Sequence, residues 1–449
     1  MNQIRIYLFT LSFIALAMTA CDEQLDVQPQ QSIDESTALS TERNVLAALV
    51  GAYDGLGDND VMGGGQHLAE LFADDGDLIW AGTFEEPEQI FQKRILVQNL
   101  DVERFWLESY EAINRANNVL SALDVVNTDL RAQVEGEAKF IRAIIYFDLI
   151  NRCGKTWLDG DPAANAGVPL VLTPTRSIDA ASEIPRNSVA EVYAQIISDL
   201  TDAKNLLPEN NGIFATTFAA SGFLSRVYLM QERFPEAQEE VDRVIRSNAF
   251  SLTANYADAF NQSGNTTEDI FALEVTTQDG LNDFILFYAG EARGGRGDID
   301  ITQAHLDQYE AGDDRVNLFY IDANGIPRTG KWQDNANQDG NINIVRLAEM
   351  YLTRAETRFR AGDATGAAED LNVVRARVGL PAIDAGSITL ESILQERSLE
   401  LKFEGHSFRD KKRNRMAIGS LSFDANELVY PIPQREMDVN QALVQNPGY

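Results

Sequence analysis

The sequence predicts a mostly α-helical protein in which helix pairs repeat and long loops interrupt them. Three observations carry that expectation. Apolar residues recur at helical spacing in several windows; two windows also place small residues where paired helices cross; and the stretches between them have the composition of loops. The chain has 449 residues, ample length to bury a large core.

In chain order, Arg5 gives a positive start and Ile6 to Ala20 an apolar run. This has the layout of a signal peptide over residues 1–20. At about 15 residues the run is shorter than the ~20 that a spanning helix needs. It closes on "LAMTAC", and that ending resembles a bacterial lipobox with Met18 in place of the usual Leu. On that resemblance Cys21 is the acylated N-terminus and residues 21–40 are a lipidated, polar tether, anchored stably because several acyl chains hold where one does not. Cys153, the other cysteine, leaves no disulfide framework to build on.

From residue 41 to 449 we expect a single helical domain. In "EGEAKFIRAIIYFDLINRCG", Phe140, Ile141, Ile144, Ile145 and Leu149 share a helix face, and Gly154 is a plausible stop. In "SVAEVYAQIISDLTDAKNLLP", Ser188 is a cap for a helix with Val192, Ile196, Leu200 and Ala203 along one side, ended by Pro208. Ala220, Leu224, Ser225, Tyr228, Phe234, Ala237 and Val244 then fall at the spacings of a tetratricopeptide-like helix pair. Ala355, Gly362, Asp363, Ala367 and Val374 give a second, more degraded example. Helix pairs are thus expected near 104–150, 188–247 and 344–404, stacked because no helix can bury its stripe alone. A loop-rich insert is expected near 252–341, long enough to suggest function.

With 37 Lys+Arg against 69 Asp+Glu, the formal net charge is -32. Phosphates would be repelled, so nucleic acid is excluded as a partner. The basic run "RDKKRNR", Arg409 to Arg415, fits a helix end. The three histidines, His67, His305 and His406, lack zinc spacing. "NANQDG" from Asn335 resembles the start of a calcium loop, but Arg346 stands where the bidentate Glu belongs. No cofactor or resident metal is implied, and no motif points to an enzyme. Glu396 and Glu400, four apart, call for neutralisation by Arg397, Arg409 or both.

Several segments in this order, among them "FWLESYEAINRANNVL", "GVPLVLTPT", "GFLSRVYLMQERFPEA", "IVRLAEMYLTRAE", "ERSLELKFEGHSFRD" and "VYPIPQREMDVNQALVQNPGY", resemble the SusD/RagB-like outer-membrane nutrient-binding lipoproteins over nearly the whole mature chain. Lys411 departs from the more usual apolar residue after the Asp of "SFRD". The resemblance implies a helical scaffold with a loop-built ligand surface. It also implies a surface-exposed lipoprotein that acts as the lid of a SusC-like TonB-dependent β-barrel and passes it oligosaccharides or, in the alternative, peptides.

A sugar-binding lid needs apolar ring faces beside amides, carboxylates or Arg for the hydroxyls. Of the four tryptophans, Trp106 shares a helical pattern with Tyr110 and Ile113 and is expected in the core, while Trp157 can serve either role. Trp80, read as a loop residue, lies among Asp74, Asp75, Asp77 and Phe84, in an early segment that the resemblance associates with ligand contacts. Trp332 lies among Arg328, Asn335 and Asn337. The candidate ligand-binding set is therefore Trp80, Asp77, Phe84, Trp332 and Asn335, with Tyr288 and Arg293 of "FYAGEARGGRG" added.

Overall fold

The computed structural model describes residues 38–176, 183–334, 337 and 339–449. Cys21, the signal segment and Asn335 lie outside the described residues.

Helices α1 (Glu42–Leu56), α2 (Leu100–Leu120), α3 (Thr128–Cys153), α4 (Val189–Leu206), α5 (Thr217–Met230) and α6 (Phe234–Arg246) pack each against the next. Their boundaries follow from local chemistry. The Thr41 hydroxyl caps α1 and the Asn99 side chain caps α2. At α4, Ser188 and Glu191 form a reciprocal capping box, an arrangement in which loss of the cap typically costs about 1 kcal/mol. Val192, Ile196, Leu200 and Ala203 are fully buried on that helix, and Gly154 closes α3. From Gly136 onward almost every residue of α3 is buried, because neighbours cover it on several sides. Arg142 holds α3 to α4 through two hydrogen bonds to Asp199, at 2.9 and 2.8 Å.

The stack continues through α7 (Leu347–Arg360), which packs on α6, then α8 (Ala364–Arg377) and α9 (Leu390–Glu400). Gly362 takes a φ of +85° in the tight turn between α7 and α8, a conformation open to glycine at little cost. Helix α10 (Ser407–Arg413) contains most of the basic run. There Lys412 donates to the Phe423 and Leu428 carbonyls, and Arg413 pairs with Glu356 at 2.7 Å, so these charges hold a helix end. Lys411 bridges to the Ala73 carbonyl at 2.9 Å and to Asp75 at 2.7 Å, which accounts for a charge at that position.

Six short strands form three antiparallel ribbons among the described residues: β1 (Leu78–Trp80) with β3 (Ile299–Ile301), β2 (Asp269–Leu273) with β6 (Ile342–Arg346), and β4 (Phe319–Ile321) with β5 (Pro327–Thr329). The β2–β6 ribbon is wholly buried, and Leu273 faces Ile342 across it. The intervening chain, residues 274–341, therefore leaves and returns at paired positions, and β6 runs straight into α7.

Ion pairs lock this insert to the helices. Glu396 is matched by Arg315 at 2.7 Å and Arg375 at 2.8 Å, and Glu400 by Arg346 at 3.1 Å and by Arg377. The expected partners differ: Arg397 instead meets Asp410 at 2.8 Å and Glu349 at 3.3 Å, and Arg409 approaches Asp148. One residue along a helix is a turn of about 100°, so Arg397 projects away from the face carrying Glu396 and Glu400. Among the described residues no helix is long and apolar enough to cross a membrane, and no cluster of three metal-ligating side chains occurs. Cys153 is free and buried.

Candidate functional site

The β1–β3 ribbon brings the early segment around residues 74–84 against the insert, so the sequence-predicted residues do converge on one region. Their roles within it are unequal. Trp80 ends strand β1 and is not in a loop; it pairs with Ile299, is 8% exposed, and its indole N–H donates to the Phe84 carbonyl at 3.2 Å. Trp332 is 3% exposed, stacks on Phe284 at 4.3 Å between ring centres, and donates to the Phe403 carbonyl at 2.8 Å. Both indoles thus pin loops to the core, and neither offers the open face that sugar stacking requires. Tyr288 is fully buried against Phe403. Trp106 is in the core, as its helical pattern implies, and Trp157 is half-buried against Tyr193.

Asp77 works as a staple. It accepts from Lys402 and from Gln308, each at 2.7 Å, and lies 3.6 Å from His305. Burial alone would raise its pKa, but His305 and Lys402 hold it well below the usual carboxylate range. Burial lowers the pKa of His305 despite Asp77.

More accessible, with Phe84 and Arg296 exposed and Arg293 and Tyr320 half-buried, is a strip built on the glycine-rich segment 290–297. Phe84 is 41% exposed, and the Arg296 guanidinium carbon lies 4.4 Å from its ring centre. Three residues earlier, the Arg293 guanidinium lies 3.6 Å from the ring of Tyr320, on β4. Tyr320 is fixed in turn by the Gly290 N–H, which donates to its hydroxyl at 3.0 Å, and Arg293 donates to Gln333. Gly297 has a φ of +68°, and a Cβ there would sit 3.0 Å from the Arg328 guanidinium; glycine therefore lets this segment lie against the β4–β5 hairpin without strain or displacement of Arg328. Arg328 is itself held by Asp300 and Asp322, each at 2.9 Å. Arg296 is also paired, with Asp298 at 3.0 Å.

The strip therefore sets two aromatic rings beside two guanidinium groups, with Gln333, Asp298 and Asp322 nearby. An aromatic ring suits the C–H face of a sugar, while guanidinium, amide and carboxylate groups bond hydroxyls. Phe84 and Arg293 were legible as candidates in the sequence. Tyr320 and Arg296 were not singled out; the second Arg of "ARGGRG" was the one available clue, since its partner ring lies more than 200 positions away in the chain.

Comparison with known proteins bears on the chain as a whole. Residues 23–229 match the family described as "Starch-binding associating with outer membrane", and residues 246–449 match the "SusD family". The SusD-like protein P2 of Formosa agariphila is 24% identical over 515 residues, covering 99% of this chain and 99% of the relative. The starch-binding protein SusD of Bacteroides thetaiotaomicron is 34% identical over 125 residues, covering 25% of this chain and 22% of its own length. Among solved structures, a putative sugar binding protein from Bacteroides vulgatus superposes with a TM-score of 0.83 at 25% identity, covering 92% of this chain and 99% of that one. With both of its halves matched and its fold shared over 92% of its length, the chain belongs to the SusD/RagB family.

Proposed function

We propose that this protein captures nutrient oligosaccharides at the outer membrane and delivers them to a SusC-like TonB-dependent β-barrel. The observation that carries the reading is the pairing of the exposed Phe84 with Arg296 and of the half-buried Tyr320 with Arg293 along segment 290–297, within a fold whose family description names starch binding. The helices fix the strip's geometry, and the loops set what it binds. Acylated Cys21 tethers one edge of the lid, the ligand sits between lid and barrel, and the lid's movement opens or seals the channel. The chain acts as a binding protein and not as an enzyme.

Isothermal titration of the protein with a panel of neutral oligosaccharides, beside mixed oligopeptides, tests this. Saturable binding of one sugar class, weakened by Phe84→Ala or Tyr320→Ala, supports the reading. Binding of peptides alone would overturn it in favour of a peptide lid.

A further inference from the structure

Helix α9 packs on α7 and α10 packs on α5, and between α9 and α10 a groove of about 580 Å³ opens to solvent. That size lies within the range of about 300–1,000 Å³ usual for small-molecule sites. Leu390, Leu394, Ser398 and Leu401 line it at spacings of four, four and three, so one stripe of α9 faces the groove. Met416, 46% exposed, supplies the other large apolar side chain. Among the described residues no Phe, Tyr or Trp lines it, so it does not repeat the chemistry of the strip around Phe84. Its buried charges are matched: Arg397 with Asp410 at 2.8 Å, Lys411 with Asp75 at 2.7 Å, and Asp77 with Lys402 at 2.7 Å. Glu391, the remaining charged residue of the lining, is exposed. The groove therefore favours a neutral occupant.

A second observation is independent of the groove's shape. His406 lines it and is only 6% exposed. Neither ring nitrogen makes a hydrogen bond among the described residues, and neither is sealed in the interior, so the little surface that His406 keeps includes them. The Nδ1 lies 3.8 Å from a Glu349 carboxylate oxygen, too far for a hydrogen bond but close enough to draw the ring proton to that side. The Nε2 is then an acceptor with a free lone pair. A buried acceptor without a donor is costly, and a ligand that brings a donor removes that cost.

We propose that this groove binds a small phenol, with its ring between the α9 leucines and Met416 and its hydroxyl donating to the His406 Nε2. A phenol is neutral, carries one strong donor, and leaves the rest of its surface for aliphatic walls. The Met416 thioether adds a favourable sulfur contact with an aromatic ring. A sugar fits poorly, since its further hydroxyls would lie unpaired against the leucines.

Electrostatics around the ring agree. Burial first, and then Arg226, Arg409, Arg397 and Arg346, hold the His406 pKa well below the ordinary histidine value, so the imidazole stays neutral and does not take the ligand's proton. The same four guanidinium groups disfavour an ammonium ligand. A carboxylate is disfavoured too, because its oxygens would face the Nε2 lone pair, with Asp410 and Asp75 on the walls. Of the groove's lining only Asp77 belongs to the residues considered above for sugar binding, and it is already held by Lys402 and Gln308. The phenol site stands independently of the glycan reading.

Ligand-observed NMR on the purified protein at neutral pH, with p-cresol, its methyl ether, toluene and p-toluate as probes, decides the matter. The expected result is saturable binding of p-cresol about fivefold tighter than of the ether or toluene, the effect of one hydrogen bond, with p-toluate weakest. His406→Phe should bring p-cresol down to the level of toluene while toluene still binds. Should that variant misfold, the methyl ether reads out the same hydrogen bond in the unaltered protein, because it keeps the ring and the oxygen and lacks the proton. Met416→Ala, at an exposed position, should weaken p-cresol and toluene alike, and Ser398→Leu, which fills the groove, should abolish both. Absence of saturable p-cresol binding, equal binding of p-cresol and its ether, a preference for p-toluate, or p-cresol binding that survives Ser398→Leu would each overturn the proposal.

Discussion

Replacing Asp283 with Asn should stabilise the protein at pH 8 and leave it nearly unchanged at pH 4. The carboxyl is raised from 3.8 to about 7, by burial first and then by Asp60, Asp101 and Asp58. A folded-state pKa above the unfolded one means that the group's favourable contribution is full below pH ~4 and is lost as pH rises through ~7. At pH 8 the ionised carboxylate is therefore a burden on the native state. Roughly three pKa units set a ceiling of about 4 kcal/mol. Solvent screening at a partly exposed site cuts this to about half. Asp283 also sits in the first turn of its helix, where a carboxylate gains about 0.3–1 kcal/mol from the aligned peptide dipoles, and Asn forfeits that. The net gain at pH 8 is about 1 kcal/mol, a shift of a few tenths molar in the urea midpoint. Urea unfolding of both proteins at pH 8 and pH 4 in parallel is the assay. An identical difference at the two pH values would refute the reasoning, because it would mean that the carboxylate is already neutralised.

Four further outcomes are expected. Phe84→Ala and Tyr320→Ala should each weaken oligosaccharide binding about tenfold by calorimetry, and Phe84→Ala should do so with little change in Tm, since that ring is exposed. Arg346→Met should cost about 3–5 kcal/mol in chemical denaturation, because Glu268, Glu400 and Glu404 lose a shared buried partner. Arg397→Ala should lower Tm by leaving Glu349 with Arg226 alone and Asp410 with Arg413 alone; an unchanged Tm would count against that pairing. Cys21→Ser should move the protein from the membrane to the soluble fraction in cells lacking the partner barrel, and retention in the membrane would sink the acylation proposal.

The helical scaffold was legible because its signals are local. Ser188 with Glu191, the stripe from Val192 to Ala203, and Gly154 after "NRC" each specify a boundary or a face within one or two turns. The site was only partly legible. A tryptophan flanked by acids and amides looks the same in sequence whether it is a platform or a plug. For Trp80 the decision rests with Ile299, and for Trp332 with Phe403, both distant in the chain. Charge pairing failed for the same reason: the partners of Glu396 and Glu400 come from the insert, β6 and α8, and proximity in sequence favoured Arg397 instead.

The buried β2–β6 ribbon has an evolutionary consequence. Because Leu273 and Ile342 are already paired, the helices experience the 68-residue excursion between them as a closed loop. Lengthening such a loop costs only ~0.6 kcal/mol per doubling. Selection can therefore rewrite the tip, from Gly290 to Gly297 and along the β4–β5 hairpin, to suit a new nutrient while the scaffold stays untouched. The freedom has a limit, since Arg315, Lys331 and Trp332 anchor the excursion to Glu396, Glu404 and Phe403. A transplanted insert that keeps those three anchors should fold on this body and carry its donor's ligand preference with it.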